Sequence, residues 1–172
     1  FDVYYMHGNR DFLISETFAK KHKISLIPDP TIININRKKI LLMHGDTLCV
    51  DDKKYQEFRK LVRSSAWQSQ MLEKPLSERL QIATKLRNES QIEIDLKDEF
   101  IMDVNNEEVD NVFDRYDVDE LIHGHTHRPN IHKIKMKDKY VRRIVLGDWY
   151  KSSYVLFYDS NGILIDRQNL SN

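Results

Sequence analysis

Three apolar, strand-like runs of this chain end in the same way, on a histidine and a glycine followed by polar side chains. "FDVYYM" runs into His7-Gly8-Asn9-Arg10-Asp11, "KKILLM" into His44-Gly45-Asp46, and "ELI" into His123-Gly124-His125-Thr126-His127. Glycine lets the backbone turn sharply where a strand stops. The polar groups that follow it project from the strand's carboxyl end, where sheet proteins place their sites. Read together, the three ends require a sheet that brings distant segments to one edge.

The segments between these ends set the organisation. Residues 1–6 read as a buried strand and 11–22 as a short helix. Pro28 and Pro30 mark a loop, and "TIININ" and "KKILLMH" read as two strands around a polar turn at Arg37. From Asp51 the period becomes helical through Tyr55, Phe58, Leu61 and Val62. Pro75 fits the first turn of a second helix, with Leu76, Leu80, Ala83 and Leu86 on one face. "NEEVDNVFDRY" (106–116) is a third. Strand patterns return in "ELIHGHTH", "NIHKIKM", "YVRRIVLGDW", "SYVLFYD" and "GILIDRQ". A sheet-based domain formed by 1–50 and 116–172, with a helical insertion at 51–115, accounts for this order, since neither β part is complete alone.

Composition narrows the class. The chain has 172 residues, 40% of them apolar, enough for a core, and equal numbers of acidic and basic side chains. Zero net charge argues against bulk attraction to nucleic acid. Cys49 is the only cysteine, which excludes an internal disulfide and a thiolate-based structural zinc site and fits a reducing compartment. No apolar stretch approaches the ~18 residues of a membrane span, and no signal-peptide pattern is present. The sequence begins at Phe1 inside a strand-like run, so residues upstream are expected.

The histidines carry the chemistry. His125 and His127 alternate along the chain, and at a turning strand end both can aim into one pocket. With Asn9 and His44 they make a mixed nitrogen and oxygen donor set, suited to manganese, iron or zinc. His123 is read as structural, and His7, His22 and His132 as surface or packing residues. Trp149 is read as a core or rim aromatic.

The motifs Gly8-Asn9-Arg10-Asp11, His44-Gly45 and Gly124-His125-Thr126-His127 resemble those of calcineurin-like metallophosphoesterases. Longer strings narrow the resemblance. "HGNRDFL", "LLMHGDTLCVDD" with "YQEFR", "IMDVN", "LIHGHTHRP" and "RIVLGDWY" are similar to the UDP-2,3-diacylglucosamine diphosphatases of lipid A biosynthesis. The resemblance implies an α/β sandwich of two sheets flanked by helices, with a helical lid inserted. It implies two divalent metal ions, manganese being the one expected. Asn9, His44 and His125 would serve one metal and His127 the other. The family's remaining ligands, an upstream Asp-x-His and Gly-Asp, are not in this sequence, which resembles the C-terminal part of such an enzyme.

The implied reaction is hydrolysis of the pyrophosphate of UDP-2,3-diacylglucosamine to UMP and 2,3-diacylglucosamine 1-phosphate. Water activated by the metals would attack the α-phosphorus. Asn9, Arg10 and His125 are the expected catalytic and substrate-binding residues, Arg10 by its fork of donors. Asp52, Ser90 and Lys97 are further expected substrate contacts, while Ile94 stands where the family has a polar one. Tyr55, Phe58, Val62, Trp67, Met71 and Leu72 are candidates for an acyl-chain groove, or simply for a helical core. The lipid-linked substrate implies peripheral contact with the cytoplasmic face of the inner membrane, with Lys60, Arg63, Lys74, Arg79, Lys85 and Arg87 as candidate head-group contacts. No nucleic acid and no obligate protein partner are expected. The alternatives are a phosphoesterase with another substrate and an inactive metal-binding or scaffold fragment.

Overall fold

The computed structural model describes residues 1–96, 103–150, 152–159 and 162–169. The chain divides into two compact units, one of residues 1–48 and 105–172, the other of residues 49–104.

The first unit is built on sheets. Strand β1 (Val3–Met6) pairs in parallel with β2 (Ile24–Ile27), and α1 (Glu16–Lys21) makes the crossover. Ser15 caps α1 by accepting from the Phe18 amide. Next come β3 (Thr31–Ile35) and β4 (Lys38–Met43), joined by a two-residue turn. Asn36 and Arg37 have φ of 50° and 65° there, the left-handed pair that a tight hairpin turn demands. After the second unit, α5 (Asn106–Tyr116) leads into β5 (Glu120–His123), then β6 (Asn130–Lys135) and β7 (Tyr140–Val145). Asn105 caps α5, and Asp117 ends it in a left-handed turn. The strand order is β3-β4-β5-β7-β6, with β4, β5 and β7 mutually parallel. A separate antiparallel hairpin, β8 (Ser152–Asp159) and β9 (Gly162–Asn169), completes the unit.

Alternation along the parallel strands sorts the side chains. Ile40, Ile122 and Ile144 share one face and pack against Leu156, Tyr158, Ile163 and Ile165 of the hairpin. This is the sandwich core. The opposite face presents Leu41, Met43, Leu121, His123, Val141, Arg143 and Val145, all buried. α5 buries Val109, Val112 and Phe113.

The second unit holds α2 (Lys53–Val62), α3 (Ser65–Glu73) and α4 (Leu76–Leu96). Asp52 and Ser64 cap α2 and α3, and α4 starts directly after Pro75. Val62 and Met71 are buried. Among the described residues, no helix is long and apolar enough to cross a membrane.

Several expectations change. β1 is not buried: Val3 and Tyr4 are 49% and 63% exposed. The helix expected over 11–22 shortens to Glu16–Lys21, because Asp11 is used in a turn in which its carbonyl accepts from the Ile14 amide. β2 was not anticipated, since a four-residue strand leaves little periodicity. The apolar face read on α4 is largely open, as Leu76, Leu80 and Ala83 are all exposed. α5 falls in the first unit with the sheets.

One buried charge braces the amino ends of the three parallel strands. Glu120 is 1% exposed and accepts from Lys38 Nζ at 2.6 Å, from Arg142 Nε at 3.0 Å and from a second nitrogen of the same guanidinium. Burial pushes its carboxyl up, but Lys38 and Arg142 outweigh burial and hold it below the ordinary 4.5. The contribution to stability is therefore present above the unfolded value and lost as the pH falls through the folded one. Glu120→Gln is expected to lower stability at pH 7 by about 1–3 kcal/mol. In urea titrations the deficit should shrink below pH ~4; a pH-independent deficit would show that shape, not charge, matters at this position.

Candidate metal centre at the strand carboxyl ends

The parallel ladder sets the site. Met43 stands opposite His123, and His123 opposite Val145. The residues that follow each strand are therefore level with one another. The Gly124 amide donates to the His44 carbonyl at 3.0 Å, and the Leu146 amide donates to the His123 carbonyl at 2.8 Å. The turns at 44–46, 124–127 and 146–150 leave one edge, the carboxyl edge that receives ligands in parallel sheets.

β1 belongs to another sheet, yet its carboxyl end reaches the same place. A Cβ built on Gly8 would lie 3.3 Å from His44 Cε1, so the Gly8-Asn9-Arg10 turn lies against the His44 ring. Asp11 shapes that turn: its carboxylate accepts from the Gly8 amide at 2.5 Å and from the Tyr5 hydroxyl at 2.6 Å. Burial, aided by the Asp11 carboxylate, pushes the Tyr5 phenol up to about 12. Asn9 is half-buried and Arg10 exposed. The His44 amide donates to Asp29 at 3.2 Å.

His44 and His125 meet edge to face, with ring centroids 5.0 Å apart. Burial, and the neighbouring His44, bring the His125 imidazole down to about 4, against the pull of the nearby Asp46 carboxylate. At neutral pH His125 is thus an uncharged ring with a lone pair to offer. The strand expected to continue through His127 stops at His123. His125 and His127 have φ of 65° and 54°, left-handed conformations that cost a non-glycine residue of order 1 kcal/mol each. The turning strand end expected for them is a strained turn. His127 is half-exposed, 3.8 Å from an Asp148 oxygen and with its ring 6.4 Å from that of Tyr150.

The residues fit a divalent transition-metal ion in chemistry. Two imidazoles, one of them held neutral, stand against a turn that carries an amide oxygen, beside a buried carboxylate. The Thr126 hydroxyl between the two histidines is buried and makes no hydrogen bond among the described residues. Among those residues no three His, Cys, Asp or Glu side chains gather as a metal site by themselves. His44 and His125 meet directly, and His127 lies within electrostatic reach of His125.

The remaining expected residues lie elsewhere. Asp52 caps α2, accepting from the Tyr55 amide at 3.1 Å, and Ser90 is exposed on α4. Both belong to the helical unit. Lys97 lies outside the described residues, as does the side chain of Ile94. Trp149 is 63% exposed, a rim aromatic whose indole donates to the Tyr154 carbonyl at 3.0 Å. Sequence reasoning quoted Asp46, which is fully buried, and Asp11 within the motifs but gave neither a role. The available signal was a carboxylate one to three residues after a strand-end glycine. Arg143 was given no role either, and for it the sequence offers no signal.

Residues 1–129 match the calcineurin-like phosphoesterase family. UDP-2,3-diacylglucosamine hydrolase of Xanthomonas oryzae pv. oryzae (strain PXO99A) is 44% identical, over 96% of this chain and 70% of the relative. The protein of the same name from Pectobacterium carotovorum subsp. carotovorum (strain PC1) is 46% identical over 89% of this chain and 64% of the relative. That of Pseudomonas putida is 46% identical over 93% of this chain and 67% of the relative.

Two glycines test how tightly the edge is built. Gly45 has φ of +108°, and a Cβ there would lie 2.7 Å from His123 Nδ1, whereas one on Gly124 would meet nothing closer than 3.8 Å. Gly45→Ala is expected to cost about 1–3 kcal/mol, a drop of several degrees in Tm, and Gly124→Ala under ~1 kcal/mol. Equal melting temperatures for the two variants would contradict the close approach of the turns.

Proposed function

Because the chain belongs to the calcineurin-like phosphoesterase family, we propose that it hydrolyses the pyrophosphate of UDP-2,3-diacylglucosamine, giving UMP and 2,3-diacylglucosamine 1-phosphate in lipid A biosynthesis. The observation that carries this reading is the extent of the similarity. Identity of 44–46% runs over 89–96% of the chain, far beyond the short motifs common to phosphoesterases.

The enzyme is a metal-dependent hydrolase, and we assign Asn9, His44 and His125 to one divalent ion and His127 to a second, with manganese the expected metal. Such ions, when bound, acidify water and neutralise phosphoryl oxygens. His125 supports this by being neutral near pH 7, so that no proton has to leave before its nitrogen acts as a ligand. Asp11 holds the turn that carries Asn9 and Arg10, and Gly8 of that turn lies against the His44 ring. The exposed Arg10 guanidinium offers two parallel donors to the α-phosphate as charge builds on its oxygens. Asp52, Ser90 and Lys97 are assigned to substrate binding, with one Asp52 oxygen also accepting from the Tyr55 amide at the start of α2.

Purified protein is expected to release UMP from UDP-2,3-diacylglucosamine only with a divalent metal present, and to lose that activity to a chelator. His125→Ala should cost at least about 100-fold, and Arg10→Lys about 10- to 100-fold in kcat with little change in KM. Equal turnover of a generic phosphodiester would favour a phosphoesterase of other specificity.

The helical insertion, read as 51–115 and here without α5, is assigned as a lid for the acyl chains, and membrane contact as peripheral. Trp67 is half-buried and Met71 buried, while Leu61, Leu72, Leu76 and Leu80 are exposed. Vesicles carrying anionic lipid should float the protein at low salt and release it at high salt. Trp67→Ala with Met71→Ala should lower its preference for long acyl chains. Salt-independent behaviour and an unchanged chain-length preference would count against these two assignments.

A further inference from the structure

We propose that His123 and Arg143 form a buried positioning pair that holds the two histidine-bearing turns in place. The inference rests on the assignment of His44 and His125 as metal ligands.

His123 is 1% exposed and Arg143 7% exposed, on the sheet face opposite the hairpin. The ladder pairs Leu121 with Arg143 and His123 with Val145, so the two side chains are diagonal neighbours on adjacent parallel strands. Arg143 Nη1 donates to His123 Nε2 at 3.3 Å. A guanidinium has donors only, so Nε2 must be the bare nitrogen and Nδ1 carries the proton. That proton is donated to the Gly124 carbonyl at 2.9 Å. Arg143 thereby sets the tautomer that ties down the first residue of the Gly124-His125-Thr126-His127 turn.

The same ring lies against the other turn. The missing Cβ of Gly45 would fall 2.7 Å from Nδ1 and 3.2 Å from Cβ of His123. One imidazole therefore touches the backbone on both sides, next to His44 and next to His125. The strained φ angles of His125 and His127 need such support, because a left-handed turn of non-glycine residues persists only where its surroundings over-determine it. A buried arginine is also costly to keep unless its donors are used. No apolar residue at position 143 would fix which nitrogen of His123 is protonated.

Two amide substitutions separate the bonds. Asn at 123 places an N–H near the Nδ1 position and abandons Arg143. Gln places an acceptor near Nε2 and abandons Gly124. Binding of Mn²⁺ alone to the full chain, followed by its paramagnetic resonance signal, is the readout, with circular dichroism to confirm folding. Both His123→Asn and His123→Gln should weaken Mn²⁺ binding by about 10- to 100-fold, as lost support of a metal-bound histidine does elsewhere. Activity at saturating Mn²⁺ should recover most of kcat with KM for the lipid substrate unchanged. Arg143→Lys, which keeps the charge and one donor, should show a smaller loss, and it decides the matter if the His123 variants do not fold. Affinities within about twofold of wild type in the folded variants would overturn the positioning role. In the same series, His125→Ala must abolish or strongly weaken Mn²⁺ binding. If it does so while the His123 and Arg143 variants bind normally, only this inference fails. If it leaves binding intact, the assignment of the turn fails, and this inference with it.

Discussion

The register of three parallel strands is the constraint on which the candidate site depends. Met43, His123 and Val145 lie side by side, so the chain leaves β4, β5 and β7 at one level. A slip of a single residue would send His123 to the hairpin face and place Ile122 among the turns. The Ile40, Ile122 and Ile144 core on one face and the Glu120 cluster at the amino ends both oppose such a slip. Packing that has no part in chemistry thus fixes where the chemistry can occur.

Electrostatics at that edge follow from burial. His125 and His44 are close enough that two positive charges there would repel, and desolvation already disfavours the first. The His125 ring is thus kept in the form that binds a cation. Buried Asp46 supplies negative charge next to His125, and the buried Arg143 guanidinium donates to the bare nitrogen of His123.

Much of this was legible in the sequence because the cues were local. The helix at 106–116 appeared as read, since Asn105 caps it and its apolar residues recur at helical spacing. The β3–β4 hairpin and the ends at His44 and Asn9 were legible for similar reasons. What escaped depends on contacts distant in sequence. His123 and Arg143 are twenty residues apart and bond only through strand pairing, and β1 gave no sign that Val3 and Tyr4 would be exposed. The His-x-His spacing suggested a turning strand end; two left-handed residues make that turn, a conformation no periodicity reveals. The apolar stripe on α4 left its surroundings open, because spacing identifies a face without saying what covers it.

The central claim is that turns from β1, β4 and β5 hold a shared cation. Anomalous diffraction from crystals soaked in Mn²⁺ tests it most directly. The account predicts a peak about 2.0–2.3 Å from a nitrogen of His44 and of His125, with the Asn9 amide oxygen on the same ion. A fully occupied manganese bound elsewhere, with His44 and His125 both uncoordinated, would contradict it.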